Sequence, residues 1–289
     1  MLAVVGVYIF ILVGFLAKKF FKEIEAKTLV ILSTYFFQPF LVLWGIMLVP
    51  LNKDLILSPI FYFIAIFVSL IFTYFTASIL EDKKERVIAS ITALIANTGN
   101  IGVPVCYALF GDVGASVATL INLANMFFVY SFGIFFFAKG EYSFKNAIIK
   151  VVKIPIMWFG IFALILNYFH VTFPKEVMKI LQMGAFASIV TQLVIFGIYI
   201  AEVKVREISL KLGVITMVNK FIVFPLVTFL VVKIAGLKSP FLKIVLLESL
   251  SPLAVTNVNL ASLFNLYPRK VAFLIIVSSI LYIFVFFLI

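Results

Sequence analysis

Residues 93 to 111, ALIANTGNIGVPVCYALFG, set two asparagines, three glycines and one proline inside an otherwise apolar run. These residue types can bind a solute. Pro104 has no N–H and clashes with the carbonyl four residues back, while Gly99 and Gly102 permit backbone angles that other residues resist. Asn97 and Asn100 add amide side chains. The run from Val87 to Phe110 is long enough to cross a hydrocarbon layer of ~30 Å at ~1.5 Å per residue, which puts the interruption near the bilayer midplane. A helix is expected to unwind over this stretch. Backbone groups freed at that depth cannot face lipid, so they must line an enclosed or watery cavity where a solute or ion can use them.

A second apolar run, FLKIVLLESLSPLAVTNVNLASLF, has the same character, with Glu248, Pro252, Thr256, Asn257 and Asn259 around its middle. Glu248 is the one acid clearly inside an apolar run. A carboxyl at that depth costs ~2.5 kcal/mol or more on insertion scales, so it must be paired or protonated. It is either a neutral carboxyl bonded to a helix or a proton or cation site whose occupancy responds to its surroundings. Lys220 also lies too deep to reach a surface, and its partner is Glu248, a carbonyl end of a broken helix, or the anionic group of a substrate. Asn122 and Asn125, three residues apart, share one helix face. They either bond between helices or line the site. Gln38 beside Pro39, and Gln192, are weaker pointers of the same kind. Cys106 reads as small apolar packing and cannot form an internal disulfide.

The elements that position these residues are membrane spans. Hydrophobic residues make up 65% of the chain and charged residues 12%, against roughly 25% charged in a soluble domain. Ten apolar runs follow one another, approximately 2–17, 29–49, 56–80, 87–110, 113–138, 147–169, 177–201, 208–234, 241–264 and 271–289. Sixteen Lys and Arg lie in the odd-numbered links and six in the even-numbered ones. Basic residues stay on the cytoplasmic side, so both termini are expected outside. The charge of +11 is thus a topology signal and not a nucleic-acid face. Ten spans divide into 1–140 and 141–289, each of five. An odd number per half means that the second half enters the membrane inverted, and both interrupted runs are fourth in their half. Enzyme signatures are missing: there is no HExxH, Cys/His cluster, serine elbow or P-loop, and no metal or cofactor is expected.

The string from Asn97 to Pro104, NTGNIGVP, and ESLSPLA from Glu248 to Ala254 resemble the auxin efflux carrier family, whose prokaryotic members include malate and malonate permease-like proteins. The resemblance covers essentially the whole chain, including GFLAKK at the end of the first span, Gln38-Pro39-Phe40, Pro155, a basic residue five before Pro225, and Ala261. Two positions depart from the family pattern: Ser251 stands where Met is usual, and Val190 where the seventh span usually has a proline, which implies a straighter seventh helix. The resemblance implies a fold similar to the bile acid:sodium symporters. Spans 3–5 and 8–10 would form a transport domain in which helices 4 and 9 cross at their prolines, and spans 1, 2, 6 and 7 a scaffold that dimerises. It places Asn97, Gly99, Asn100, Gly102 and Pro104 at the first crossover, and Pro252, Ala254 and Asn257 at the second.

The resulting expectation is an all-α polytopic protein of the plasma or inner membrane that moves a small organic anion, a carboxylate, by alternating access. Half-helix N-termini offer unpaired N–H donors and positive dipole ends to an anionic group. Asn122 and Asn125 complete its hydrogen bonds. Glu248, Lys220 and Gln192 are the candidates for coupling to H+ or Na+. The alternatives are a sodium-coupled symporter of larger amphipathic anions and, from another class, a membrane sensor that binds its ligand without moving it.

Overall fold

The computed structural model describes residues 2–137, 155–202 and 209–288. Among them every regular element is helical, and a single antiparallel bridge joins Ala96 to Leu253. In chain order the helices are α1 (Leu2–Phe20), α2 (Ala26–Met47), α3 (Lys53–Ala77), α4 (Lys83–Ile91), α5 (Thr98–Phe137) and α6 (Pro155–Tyr168). Then come α7 (Lys175–Glu202), α8 (Leu210–Ile234), α9 (Phe241–Leu250), α10 (Thr256–Leu263) and α11 (Pro268–Leu288). Five of these, α2, α3, α5, α7 and α8, are long and apolar enough to cross a membrane. The link from Lys139 to Asn146, the 140/141 division between halves, the start of the sixth apolar run, and Lys204 and Arg206 lie outside the described residues.

Local chemistry explains the helix limits. Asn52 opens α3 by accepting the Leu55 N–H at 2.9 Å, and Asp82 opens α4 by accepting those of Lys84 and Glu85 at 2.6 and 3.2 Å. Such caps satisfy donors that have no partner inside the helix. α5 bends at Gly111, whose φ of 59° is left-handed, a conformation that glycine adopts without a Cβ penalty. The bend separates the fourth apolar run from the fifth. α7 runs without interruption through Val190, as the missing proline implied. Single π turns widen α2 at Ser33–Phe37, α5 at Thr98–Gly102 and Val129–Gly133, and α8 at Asn219–Val223.

Two groups of helices result. α1 lies along α7, α7 packs on α2, and α2 on α6. A Cβ on Gly14 would overlap the Val194 carbonyl and one on Gly197 the Ile11 carbonyl, so small residues bring the α1 and α7 backbones together. In the other group α3 packs on α4, α5 and α8, α9 on α5 and α8, and α10 on α11. The groups meet where α2 lies against α5. Ion pairs tie helix ends at 2.9 Å (Lys18 with Glu202) and 2.8 Å (Lys270 with Glu85).

A cavity where two half-helices meet

Both interrupted runs do lose their helical winding, and they touch where they do. After α4 a single 3-10 turn, Thr92–Leu94, gives way to non-helical backbone at Ile95 (φ −94°, ψ 83°) and Asn97 (φ −81°, ψ 56°). α9 ends likewise at Ser251 (φ −51°, ψ 141°). The Asn97 N–H donates to the Pro252 carbonyl at 2.7 Å, and the Ala254 N–H to the Ile95 carbonyl at 2.9 Å. The break falls slightly earlier than the sequence suggests. Thr98–Gly102 is wound, as a wide turn, and Pro104 follows directly after it, in the first turn of the α-helical part.

The two polarities of the freed backbone have different fates. Protein donors cover the carbonyls. Asn125 Nδ2 donates to the Ala96 carbonyl at 2.8 Å and Asn257 Nδ2 to that of Ile95 at 3.1 Å. Farther back, adjacent residues of the α8 π turn hold the carbonyl ends of both incoming helices: Asn219 Nδ2 bonds the Ala89 carbonyl at 3.0 Å and Lys220 Nζ that of Ser249 at 2.8 Å. The N–H groups stay open. The first bonds of α5 run from Ile101 and Gly102 to the Asn97 carbonyl, and those of α10 from Asn257 and Val258 to Ala254 and Val255. That leaves the N–H groups of Thr98, Gly99, Asn100, Val255 and Thr256 outside the helical ladders.

All five of these residues line one cavity of about 130 Å³. Of the residues singled out by sequence, Gln38, Asn97, Gly99, Asn100, Asn122, Asn125, Gln192, Ala254, Thr256 and Asn259 line it. Gly102, Pro104, Pro252, Asn257, Glu248 and Lys220 do not. Among the described residues no acidic, basic or histidine side chain reaches its wall. Each half-helix N-terminus carries roughly half a positive charge, so two of them supply about one charge without a cation. Asn122 Oδ1 accepts the Thr98 hydroxyl at 3.0 Å, and Asn125 Nδ2 donates to Thr98 Oγ1 at 3.2 Å. A Cβ on Gly99 would crowd the Asn122 amide. Gln192 donates to Ser188 Oγ at 2.9 Å, while Asn97 Nδ2 and Gln38 Oε1 are buried without a partner.

Glu248 occupies the other side of the first half-helix. A Cβ on Gly102 would overlap its carboxyl, and its Oε1 accepts the Cys106 thiol at 3.3 Å. Cys106 is therefore a polar neighbour of Glu248 as well as packing. Lys220 takes the second of the partners open to it, a carbonyl end, and its ammonium also lies 5.1 Å from the Phe224 ring centre. Sequence reasoning did not identify Thr98, Tyr130 and Tyr199 of the cavity wall, nor Asn219. Thr98 was within the motif, and Asn219 was the polar neighbour of Lys220 in an apolar run.

A relative in Methanocaldococcus jannaschii, an uncharacterized transporter, is 25% identical over 94% of this chain and 92% of its own length. The profile of the membrane transport protein family matches residues 1–289. Agreeing with the paired, unwound half-helices, that match over the whole length shows that the chain belongs to the membrane transport protein family, that of the auxin efflux carriers.

Proposed function

We propose that this protein is a secondary carrier that moves a small organic anion, a monocarboxylate or short dicarboxylate, across the membrane by alternating access. One observation carries the reading: residues of two half-helix N-termini whose N–H groups lie outside the helical ladders line a single cavity, where protein donors cover the Ile95 and Ala96 carbonyls and the wall holds no charged side chain among the described residues. Such a site favours an anion and penalises a cation. Its volume limits the cargo. At about 130 Å³ it is close to the ~150 Å³ apolar cavity that accommodates benzene, so it suits a body of a few carbons.

The proposed arrangement is ten spans in two inverted repeats of five. In it α1, α2, α6 and α7 are the scaffold and the dimer contact, and the other helices carry the cavity past them. Glu248 couples the cycle to H+ or Na+ from outside the cavity wall. Reconstituted in proteoliposomes, the protein is expected to exchange radiolabelled malonate for internal malonate with saturation. Flux that never saturates would indicate a channel, and binding without flux a sensor.

One observation favours the second reading, a carrier of larger amphipathic anions. A neighbouring pocket of about 350 Å³ between α7 and α11 shares Tyr199 and Val255 with the cavity, and its otherwise mostly apolar wall includes both Arg269 and Glu202. Uptake that needs sodium at fixed pH and prefers a sterol-sized anion to malonate would select that reading.

A further inference from the structure

Glu248 and the cargo cavity share one helical turn. A Cβ on Gly102 would overlap the Glu248 carboxyl, so the carboxyl rests directly on the backbone at that point. Gly102 belongs to the first turn of α5, where its N–H donates to the Asn97 carbonyl at 3.1 Å. Thr98, Gly99 and Asn100 of the same turn line the cavity, while Gly102 and Glu248 do not. A helix backbone is only about 5 Å across, so a carboxyl against one side and an anion against the other stand about 10 Å apart. The positive end of a helix reaches little beyond its first turn. An ionised Glu248 therefore draws on the same positive end that is offered to the cargo.

The protein does little to hold that charge in any other way. Glu248 is fully buried. Among the described residues its one donor is the Cys106 thiol, 3.3 Å from Oε1, and Oε2 has none; a thiol is a weak donor. The titratable groups in its electrostatic field are Tyr62 of α3, Cys106 of α5, Lys220 of α8 and Tyr282 of α11. Of these only lysine is ordinarily charged at neutral pH. The Lys220 ammonium bonds the Ser249 carbonyl, at the next residue of α9, and Glu248 forms no ion pair among the described residues.

Charge balance then links the two sites. With Glu248 ionised, it and Lys220 sum to zero, and an arriving anion adds an uncompensated negative charge at depth. With Glu248 protonated, Lys220 and the anion sum to zero. Uncompensated charge inside a bilayer is strongly penalised. A metal ion on the carboxylate would serve the same balance but needs a shell of oxygens, and neither the cavity nor the neighbouring pocket includes Glu248 in its wall. A proton needs no such space.

We propose that Glu248 makes anion binding proton-linked: acting across the first turn of α5, the carboxyl repels the cargo when ionised and admits it when it carries a proton. One proton from water ends on Oε2 as an O–H bond, and no other bond changes. At about 10 Å and an effective dielectric constant near 20, the repulsion of two unit charges weakens binding by about ten- to twentyfold. The linkage rests on the carrier reading for its cargo and adds the coupling ion to it.

The test is calorimetry on the full chain in lipid nanodiscs, with propionate and propionamide titrated from about pH 6 to about pH 8, where a free carboxylate stays ionised. Propionate is expected to bind about ten- to twentyfold more weakly at the alkaline end, and to take up protons on binding, read from the heats in two buffers of different ionisation enthalpy. Propionamide, which carries no charge, is expected to bind equally at both ends. Glu248→Gln, checked for folding by its melting curve, should keep the acid-end propionate affinity throughout, and the wild-type comparison decides even without it. A propionate Kd independent of pH would overturn the proposal. So would a propionamide Kd that follows the same pH curve, which would mark a change of shape and not of charge, or a propionate Kd that depends on sodium at fixed pH, which would put a cation in the proton's place. If propionate binds at no pH, the linkage falls together with the anion site. If binding is proton-linked but malonate shows no counterflow in proteoliposomes, the carrier reading fails and the linkage stands.

Discussion

Replacing Asn125 with leucine tests whether the covered carbonyls make the site. Asn125 is buried, and its Nδ2 is the donor that reaches the Ala96 carbonyl, at 2.8 Å, with Thr98 Oγ1 at 3.2 Å. Leucine has nearly the same size and shape, so packing changes little. The substitution removes two hydrogen bonds of about 1 kcal/mol each and leaves Ala96 with a buried, unsatisfied carbonyl at a cost of ~1–3 kcal/mol. The Asn125 Oδ1 was itself unpartnered, so its removal offsets part of the loss. A net destabilisation of about 2 kcal/mol follows, within the usual range for breaking a buried polar contact. Cargo affinity should fall more than stability implies, because the freed carbonyl dipole now faces an anion. Each further 1.4 kcal/mol is about tenfold in Kd, and a loss of ten- to thirtyfold is expected. The assay is thermal melting in detergent with a malonate titration. A variant within about 0.5 kcal/mol of wild type, with unchanged malonate response, would refute the reasoning, since that is the spread of substitutions that touch nothing important.

Glu248→Gln is expected to leave the malonate-induced thermal shift in place, because the carboxyl is not in the cavity wall, and to abolish the pH or sodium dependence of uptake in proteoliposomes. Lys220→Met uncovers the Ser249 carbonyl and should cost stability by about 1–3 kcal/mol, while malonate affinity measured by thermal shift stays at its wild-type value; lost affinity at full stability would place Lys220 on the cargo after all. At the α4 entrance, the Tyr267 hydroxyl holds the Asp82 carboxyl below its usual range, helped by the backbone N–H groups of Lys84 and Glu85. A lowered carboxylate contributes stability above its unfolded value, near 3.9, and loses it as pH falls through the folded value. Tyr267→Phe should therefore lower the melting temperature at neutral pH and leave it almost unchanged at pH well below the folded value, which flattens the acid limb of the profile below about pH 4.

Much of the architecture was legible because membrane burial leaves strong marks. The apolar runs follow from the cost of exposing backbone to lipid, and the asparagines and prolines of the two interrupted runs stand out against that background. The sequence did not reveal where the winding fails. Ile95 and Ala96 are ordinary apolar residues, and they leave the helix because, far along the chain, the Ala254 N–H takes the Ile95 carbonyl and the Pro252 carbonyl takes the Asn97 N–H, on either side of Ala96. Tertiary pairing overrides local preference there. The same limit applies to Glu248 and the asparagines. Depth can be counted from sequence, but which side of a half-helix faces the cavity depends on how α5 and α9 pack, and Gly102 turned out to face the carboxyl, not the cavity. Lys220 and Asn219 show it again, since their partners are carbonyl ends supplied by two other helices.

The most direct test compares a carboxylate with its neutral isostere. Binding of propionate and of propionamide would be measured by calorimetry on the purified protein at fixed pH and ionic strength. The two ligands share size and shape and differ by one charge, the quantity that two half-helix N-termini are arranged to hold. Binding of propionate at least about tenfold tighter than propionamide, a difference of ~1.4 kcal/mol, is the predicted result. Equal affinity for the two, or preference for the amide, would contradict the claim that the crossing is an anion site.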